Sequence, residues 1–193
     1  MIMRPAAFIL GLFALAVAAC APTQEPVSYL LDAQARPTGA LSGPPLGLRE
    51  ITLPLYARRA QIAVLGAGGE VTLSDNHKWA EEPLRAASRQ VARILAAELQ
   101  RPVVIEPWPR GVTPTRRVDI DVDYFIGSLG GDLRLGGQYR LVEAANPSAA
   151  AITTFEYTET LDAPTYAALV AGHSRALSRL AEDIAQELAT GGS

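Results

Sequence analysis

Hydrophobic positions change period several times along the chain, and each change marks an element. Val118, Ile120, Val122, Tyr124 and Ile126 alternate with Asp119, Asp121 and Asp123, which is the period of a half-buried strand running from Arg117 to Gly127. After Gly127-Ser128-Leu129-Gly130-Gly131, the apolar Leu133, Leu135, Tyr139 and Leu141 alternate with Arg134, Gln138 and Arg140. Ile152 to Leu161 then puts Phe155, Tyr157 and Leu161 on one side. Three consecutive alternating segments predict an antiparallel meander with one apolar and one polar face.

Two stretches switch to helical spacing. Leu84, Val91, Leu95 and Leu99, with Ile94 beside them, predict a helix that begins near Pro83 and stops before Pro102. Proline suits a first helical position because its missing N–H has no intrahelical acceptor there. Tyr166, Leu169, Val170, Leu177, Leu180, Ile184 and Leu188 form the apolar stripe of a second helix, from about Thr165 to Ala189.

Shorter signals fill the first half. Val27 to Leu31 and Val103 to Ile105 read as short strands, and Leu46 to Leu53 as a strand stopped by Pro54. Gln61 to Leu65 and Val71 to Ser74 flank Gly66-Ala67-Gly68-Gly69 and predict a hairpin. Ala21 to Pro26 reads as a tether and Arg36 to Pro45 as a loop, by their proline and glycine. The sum is one mixed α/β domain over residues 27–190: a mixed β-sheet with an antiparallel meander, and two long helices covering its apolar face.

The N-terminus changes this picture, because it sets the compartment. Arg4 precedes an apolar stretch that ends in Leu15-Ala16-Val17-Ala18-Ala19-Cys20. A basic start, a short apolar core and small residues before a cut site form a secretory signal. Its apolar run of about 14 residues is short of the ~20 that span a bilayer. The lone cysteine directly after the small residues resembles the lipobox of bacterial lipoproteins. That resemblance implies a signal peptide over 1–19, cleavage before Cys20, palmitate-type acylation of Cys20, and a lipidated tether over 20–26. Ala21 follows the cysteine, where aspartate resembles an inner-membrane retention signal, so the expected location is the outer membrane, facing the periplasm.

Composition excludes several classes of function. Beyond the signal the chain keeps 16 basic residues against 20 acidic ones, and nucleic-acid binding needs a basic face that this balance does not offer. A single cysteine allows no internal disulfide. His77 and His173 are the only histidines, so no His/Cys zinc cluster can assemble. No cofactor motif is present.

Three further stretches resemble one family, the PqiC/YmbA-type auxiliary lipoproteins of ABC transporters. Ile51-Thr52-Leu53-Pro54-Leu55-Tyr56-Ala57-Arg58-Arg59-Ala60-Gln61-Ile62 is similar to its strand–Pro–Tyr–Arg–Gln–Ile segment. His77-Lys78-Trp79-Ala80-Glu81-Glu82-Pro83-Leu84 resembles its His-Arg-Trp-Ala-Glu-Pro-Leu signature, with Lys78 for arginine and one added glutamate. Tyr166-Ala167-Ala168-Leu169-Val170 resembles the entry to its last helix. The resemblance implies a fold similar to the N-terminal domain of TolB and a non-enzymatic role. It also implies partners on other chains: a permease, an ATPase and an MCE-domain protein that together move lipids or other apolar molecules between membranes. The oligomeric state stays open, a homo-oligomer included. The alternative is a stand-alone lipoprotein that binds a small ligand or lipid, which needs an apolar cavity.

Candidate residues follow. Tyr56, Arg58 and Arg59, in a loop after Pro54, are the candidate partner-binding residues, since Tyr and Arg are enriched in interface hot spots. His77, Glu81 and Glu82 invite an acid–base reading. No nucleophile accompanies them, and the simpler reading makes His77, Trp79 and Pro83 a structural motif that packs and caps the first helix. Asp119, Asp121 and Asp123 could hold a hard cation, but pairing with Arg134 and Arg140 on the next strand explains them with fewer assumptions. His173 falls on the apolar stripe and reads as a satisfied core or interface histidine.

Overall fold

The computed structural model describes residues 25–31 and 39–190. Eight strands and two helices follow one another as β1 (Val27–Tyr29), β2 (Leu46–Leu48), β3 (Gln61–Leu65), β4 (Val71–Trp79), α1 (Pro83–Leu99), β5 (Val103–Ile105), β6 (Arg116–Gly127), β7 (Asp132–Glu143), β8 (Ile152–Thr160) and α2 (Tyr166–Thr190). The expected meander is present: β6, β7 and β8 pair antiparallel in sequence. Both helices fall close to the limits set by their periodicity. Pro83 opens α1, and Gln100 closes it in the left-handed conformation at φ 49°, a frequent way to end a helix.

The strands divide into two sheets rather than one. β5-β2-β6-β7-β8 form a five-stranded sheet and β1-β4-β3 a three-stranded one. Parallel pairing joins β2 to both β5 and β6, and β1 to β4. α1 packs on β5 and on α2, while α2 packs on β7 and β8. Leu46, Leu48, Ile94, Leu95, Ile120, Leu135, Leu169 and Leu177 are fully buried between these layers.

β2 is shorter than its apolar run. Leu46 to Leu48 pair regularly, and Thr52 alone makes a bridge to Asp121. Between them the Ile51 amide turns away and donates to Ser88 Oγ on α1 at 2.9 Å. A buried amide needs an acceptor, and a helix side chain can serve as well as a neighbouring strand.

β6 departs from simple alternation. Its register with β7 slips between Val122 and Tyr124, leaving Asp123 as an extra residue. A bulge reverses the side-chain alternation beyond it. Tyr124, expected on the inner face, is therefore half exposed, and Phe125 is buried instead. Gly137 lies opposite, where an added Cβ would sit 2.1 Å from the Asp121 carbonyl oxygen. Only glycine admits so close a backbone approach.

Candidate functional site

Pro54 ends the extended stretch, and the Ala57 amide donates back to its carbonyl at 2.9 Å. Leu55–Arg58 is consequently a 3-10 turn, not the irregular loop its sequence suggested. Leu55, Arg58 and Arg59 are exposed, and Ala57 is buried. Tyr56 is partly buried, and its hydroxyl accepts the Phe125 amide hydrogen at 3.1 Å. Burial pushes the Tyr56 phenol up from its ordinary value, so it stays neutral and able to accept. The three candidate partner-binding residues thus split: Tyr56 ties the turn to β6, and Arg58 and Arg59 face solvent.

Beside Tyr56 lies an open groove of about 220 Å³ lined by Leu65, Val71, Tyr124, Ile126 and Arg134. The Arg134 guanidinium stands over the Tyr124 ring, 4.7 Å from its centre. Sequence reasoning missed this groove, because it placed Tyr124 in the core. The signal was Gly136-Gly137 inside an alternating segment, since glycine within a strand marks a bulge or a close approach.

The His77-Lys78-Trp79 motif does not cap α1. It lies on β4, paired in parallel with Val27, Ser28 and Tyr29. Glu82 occupies the cap position without a side-chain hydrogen bond. The motif packs as expected: Trp79 is buried, 5.6 Å from the His173 ring and 6.4 Å from Phe125, centre to centre. His77 stacks on Tyr166, and its Nδ1 lies 3.0 Å from the Tyr29 hydroxyl. Glu81 is engaged by Arg89. His77 and Glu81 therefore hold separate structural partners instead of forming an acid–base pair.

The three aspartates do not converge. Asp119 is buried, and Arg117 at 2.9 Å, Arg140 at 3.5 Å and Arg49 at 3.6 Å surround it. Arg140 is the partner expected from strand pairing, whereas Arg49 and Arg117 come from positions the alternation did not single out. Arg134 instead bonds Glu156 at 2.8 Å. Asp123 is exposed on the bulge. Among the described residues no cluster of three or more His, Cys, Asp or Glu side chains could hold a metal ion.

Buried hydroxyls fasten α2 to the sheet. Tyr157 donates to Asp183 at 2.6 Å and Tyr139 to Glu187 at 2.5 Å. Burial first, and then the adjacent carboxylate, pushes the Tyr139 phenol up to about 12 and raises Tyr157 as well. His173 is buried among Trp79 and Phe125, and its Nδ1 has no hydrogen-bond partner among the described residues. The expected satisfied core histidine is thus in the core but not fully satisfied. Burial pushes its pKa down to about 3, which keeps the ring neutral.

The arrangement offers contact surfaces, at the exposed Arg58 and Arg59 and in the groove beside Tyr56. The family model for the ABC-type transport auxiliary lipoprotein component matches residues 29–185. The chain belongs to this family. It is the family to which the three sequence motifs pointed. No curated protein matches the sequence. Solved structures share the fold. One, of an uncharacterized protein, aligns with a TM-score of 0.70 at 16% identity, covering 85% of this chain and 99% of its own. A DUF330-family protein from Xanthomonas campestris aligns at 0.66 with 18% identity, over 86% of this chain and 96% of its own. PelC from Paraburkholderia phytofirmans, solved as a dodecamer, reaches only 0.44 at 14% identity, over 78% of this chain and 89% of its own. An auxiliary lipoprotein of this kind associates with a transporter and is held at a membrane of the envelope. Cys20 and residues 21–24 of the tether lie outside the described residues, and no described helix is long and apolar enough to cross a membrane.

Proposed function

We propose that this chain is a lipid-anchored, non-catalytic subunit of an ABC/MCE-type transport system. In this reading residues 1–19 are a signal peptide, 20–26 a lipidated tether and 27–190 the auxiliary domain. The domain faces the periplasm from the outer membrane and holds a longer MCE-type partner, which moves lipids or similar apolar molecules. The family match over residues 29–185 carries the reading.

Geometry supports a docking role. The six residues from Ala21 to Pro26 span at most about 20 Å. A domain of this size has a radius of gyration near ~16 Å. It must stay beside its own membrane, so any trans-envelope partner has to reach it. The turn at Tyr56, Arg58 and Arg59 is a candidate contact for that partner. The alternative, a stand-alone lipid carrier, calls for an enclosed apolar cavity, conventionally of about 300–1,000 Å³. The groove at Tyr56 is smaller and open, and the apolar positions of sheet and helices are packed against one another.

Crosslinking in native envelopes followed by mass spectrometry tests the reading. Recovery of an MCE-domain protein with its permease and ATPase is the expected result. Recovery of none of them would count against the transporter assignment. Palmitate labelling tests the anchor separately: wild type should label and Cys20→Ala should not.

A further inference from the structure

β8 is the last strand of the five-stranded sheet, and its outer edge meets no other strand among the described residues. Which of its backbone groups face that edge follows from the ladder. The Leu161 amide donates to the Gly131 carbonyl at 3.3 Å. β8 then runs antiparallel to β7 without a register shift, from Thr160 beside Asp132 to Ile152 beside Arg140. Hydrogen-bonded pairs alternate along such a ladder. Glu159, Tyr157, Phe155 and Thr153 therefore bond β7, and Thr158, Glu156, Thr154 and Ile152 turn their amides and carbonyls outward. The Thr160 carbonyl also points outward, where Arg175 Nη2 donates to it at 3.4 Å. The open run is thus Ile152 to Thr158.

This edge lacks the usual guards. Natural edge strands are kept short, or carry proline, a bulge or an unpaired charge. β8 has nine residues, no proline and no register shift against β7. Its two carboxylates are met within the chain, Glu156 by Arg134 at 2.8 Å, and Glu159 by Arg179 at 3.0 Å and Arg175 at 3.2 Å. A row of outward amides and carbonyls fits one kind of occupant, another extended backbone. Because Glu156 already has its arginine, the edge makes no demand for a basic strand.

We infer that β8 pairs antiparallel with β8 of a second copy, about a two-fold axis at Phe155. Phe155 is the midpoint of the open run, so this register engages every outward group in it. Ile152 faces Thr158 of the second copy, and Thr154 faces Glu156. A hydroxyl then lies opposite each carboxylate. Centring the pair on Glu156 would set two carboxylates face to face, which is destabilising. Centring it on Tyr157 would need the Thr160 carbonyl that Arg175 holds. On the helix side, the half-buried Phe155 stacks with Tyr139 and Tyr157, ring centres 6.3 and 5.9 Å away, and would face its own copy. Aromatic pairs across neighbouring strands stabilise a sheet. The same strand serves on both copies and closes the pair, and the two five-stranded sheets become one.

The test uses the full chain, in native membranes and after extraction into detergent. Cα atoms of a non-hydrogen-bonded antiparallel pair are about 4.5 Å apart, within disulfide reach. Phe155→Cys should therefore give an oxidised dimer several-fold more efficiently than wild type, whose single Cys20 sets the background. Differently tagged Ile152→Cys and Thr158→Cys copies should capture each other. Neither should capture itself, because like positions would lie about 20 Å apart along the strands. Thr154→Pro and Glu156→Pro each remove an outward amide and leave the β7 ladder intact. Both should halve the mass seen by light scattering, with helicity unchanged. Should a proline variant lose its helicity, the exposed cysteine pair decides. A monomer at every concentration, or capture at these cysteines no better than wild type, would overturn the pairing. A dimer that survives both prolines would place the interface elsewhere and overturn it too. Capture of a different protein at Phe155→Cys would give the edge to that partner, with the same result.

Discussion

His77 and Tyr166 stack face to face, with ring centres 3.8 Å apart and planes inclined by 15°. One residue belongs to the motif before the first helix, the other opens the last helix. Two of the three sequence signatures, far apart along the chain, thus meet in a single contact. It joins the small sheet to α2 and places Trp79 against His173 one layer deeper.

That joint makes Trp79 a structural residue. Truncating a buried aromatic typically costs about 3–5 kcal/mol, a large share of a domain's stability. Trp79→Ala should lower the thermal midpoint and the amount of protein in the envelope. Trp79→Phe should recover most of both. Unchanged stability with lost transport would instead make the motif a contact site.

His173 gives a pH dependence of known sign. Its folded pKa, about 3, lies below the ordinary 6.5, so the unfolded chain binds a proton that the folded chain refuses. The neutral ring's contribution is complete above about pH 6.5 and is lost as pH falls toward 3. Within that window wild type should lose up to about 1.4 kcal/mol per pH unit more than His173→Leu. Urea titrations of both proteins at pH 4.5, 5.5 and 7 measure the difference in slope, and parallel slopes would exclude a buried neutral histidine.

Burial ranks the ion pairs. Asp119 is 3% exposed and meets three arginines, whereas Arg134 and Glu156 are about half exposed. Removing a buried partner leaves charges uncompensated, on the order of 1–3 kcal/mol, while an exposed pair contributes about 0–1 kcal/mol. Asp119→Ala should therefore lower the urea midpoint clearly more than Arg134→Ala. Equal shifts would show that the arginines around Asp119 are solvated without it.

The Tyr56 turn can be dissected in the same way. Tyr56→Phe removes the acceptor of the Phe125 amide and should cost about 0.5–1.5 kcal/mol. Arg58→Glu with Arg59→Glu should leave stability within about 0.5 kcal/mol, as exposed substitutions usually do. The double reversal should weaken copurification with the envelope partner. Copurification that survives it would remove this turn from the interface.

Local periodicity alone determined much of this protein. The limits of α1 and α2, the β6–β7–β8 meander, the β3–β4 hairpin and the buried stripe of α2 all follow from which residues within a short window are apolar. That pattern states which side of an element is buried. It does not state which element lies opposite, because pairing is settled by backbone hydrogen bonds between segments distant in sequence. Tertiary structure therefore decided that the strands form two sheets and that His77 meets Tyr166. It gathered Arg49, Arg117 and Arg140 around Asp119. It also decided the outward turn of Tyr124: one extra residue at Asp123, accommodated by Gly137 across the ladder, reverses the alternation that the sequence by itself carries unbroken through Ile126.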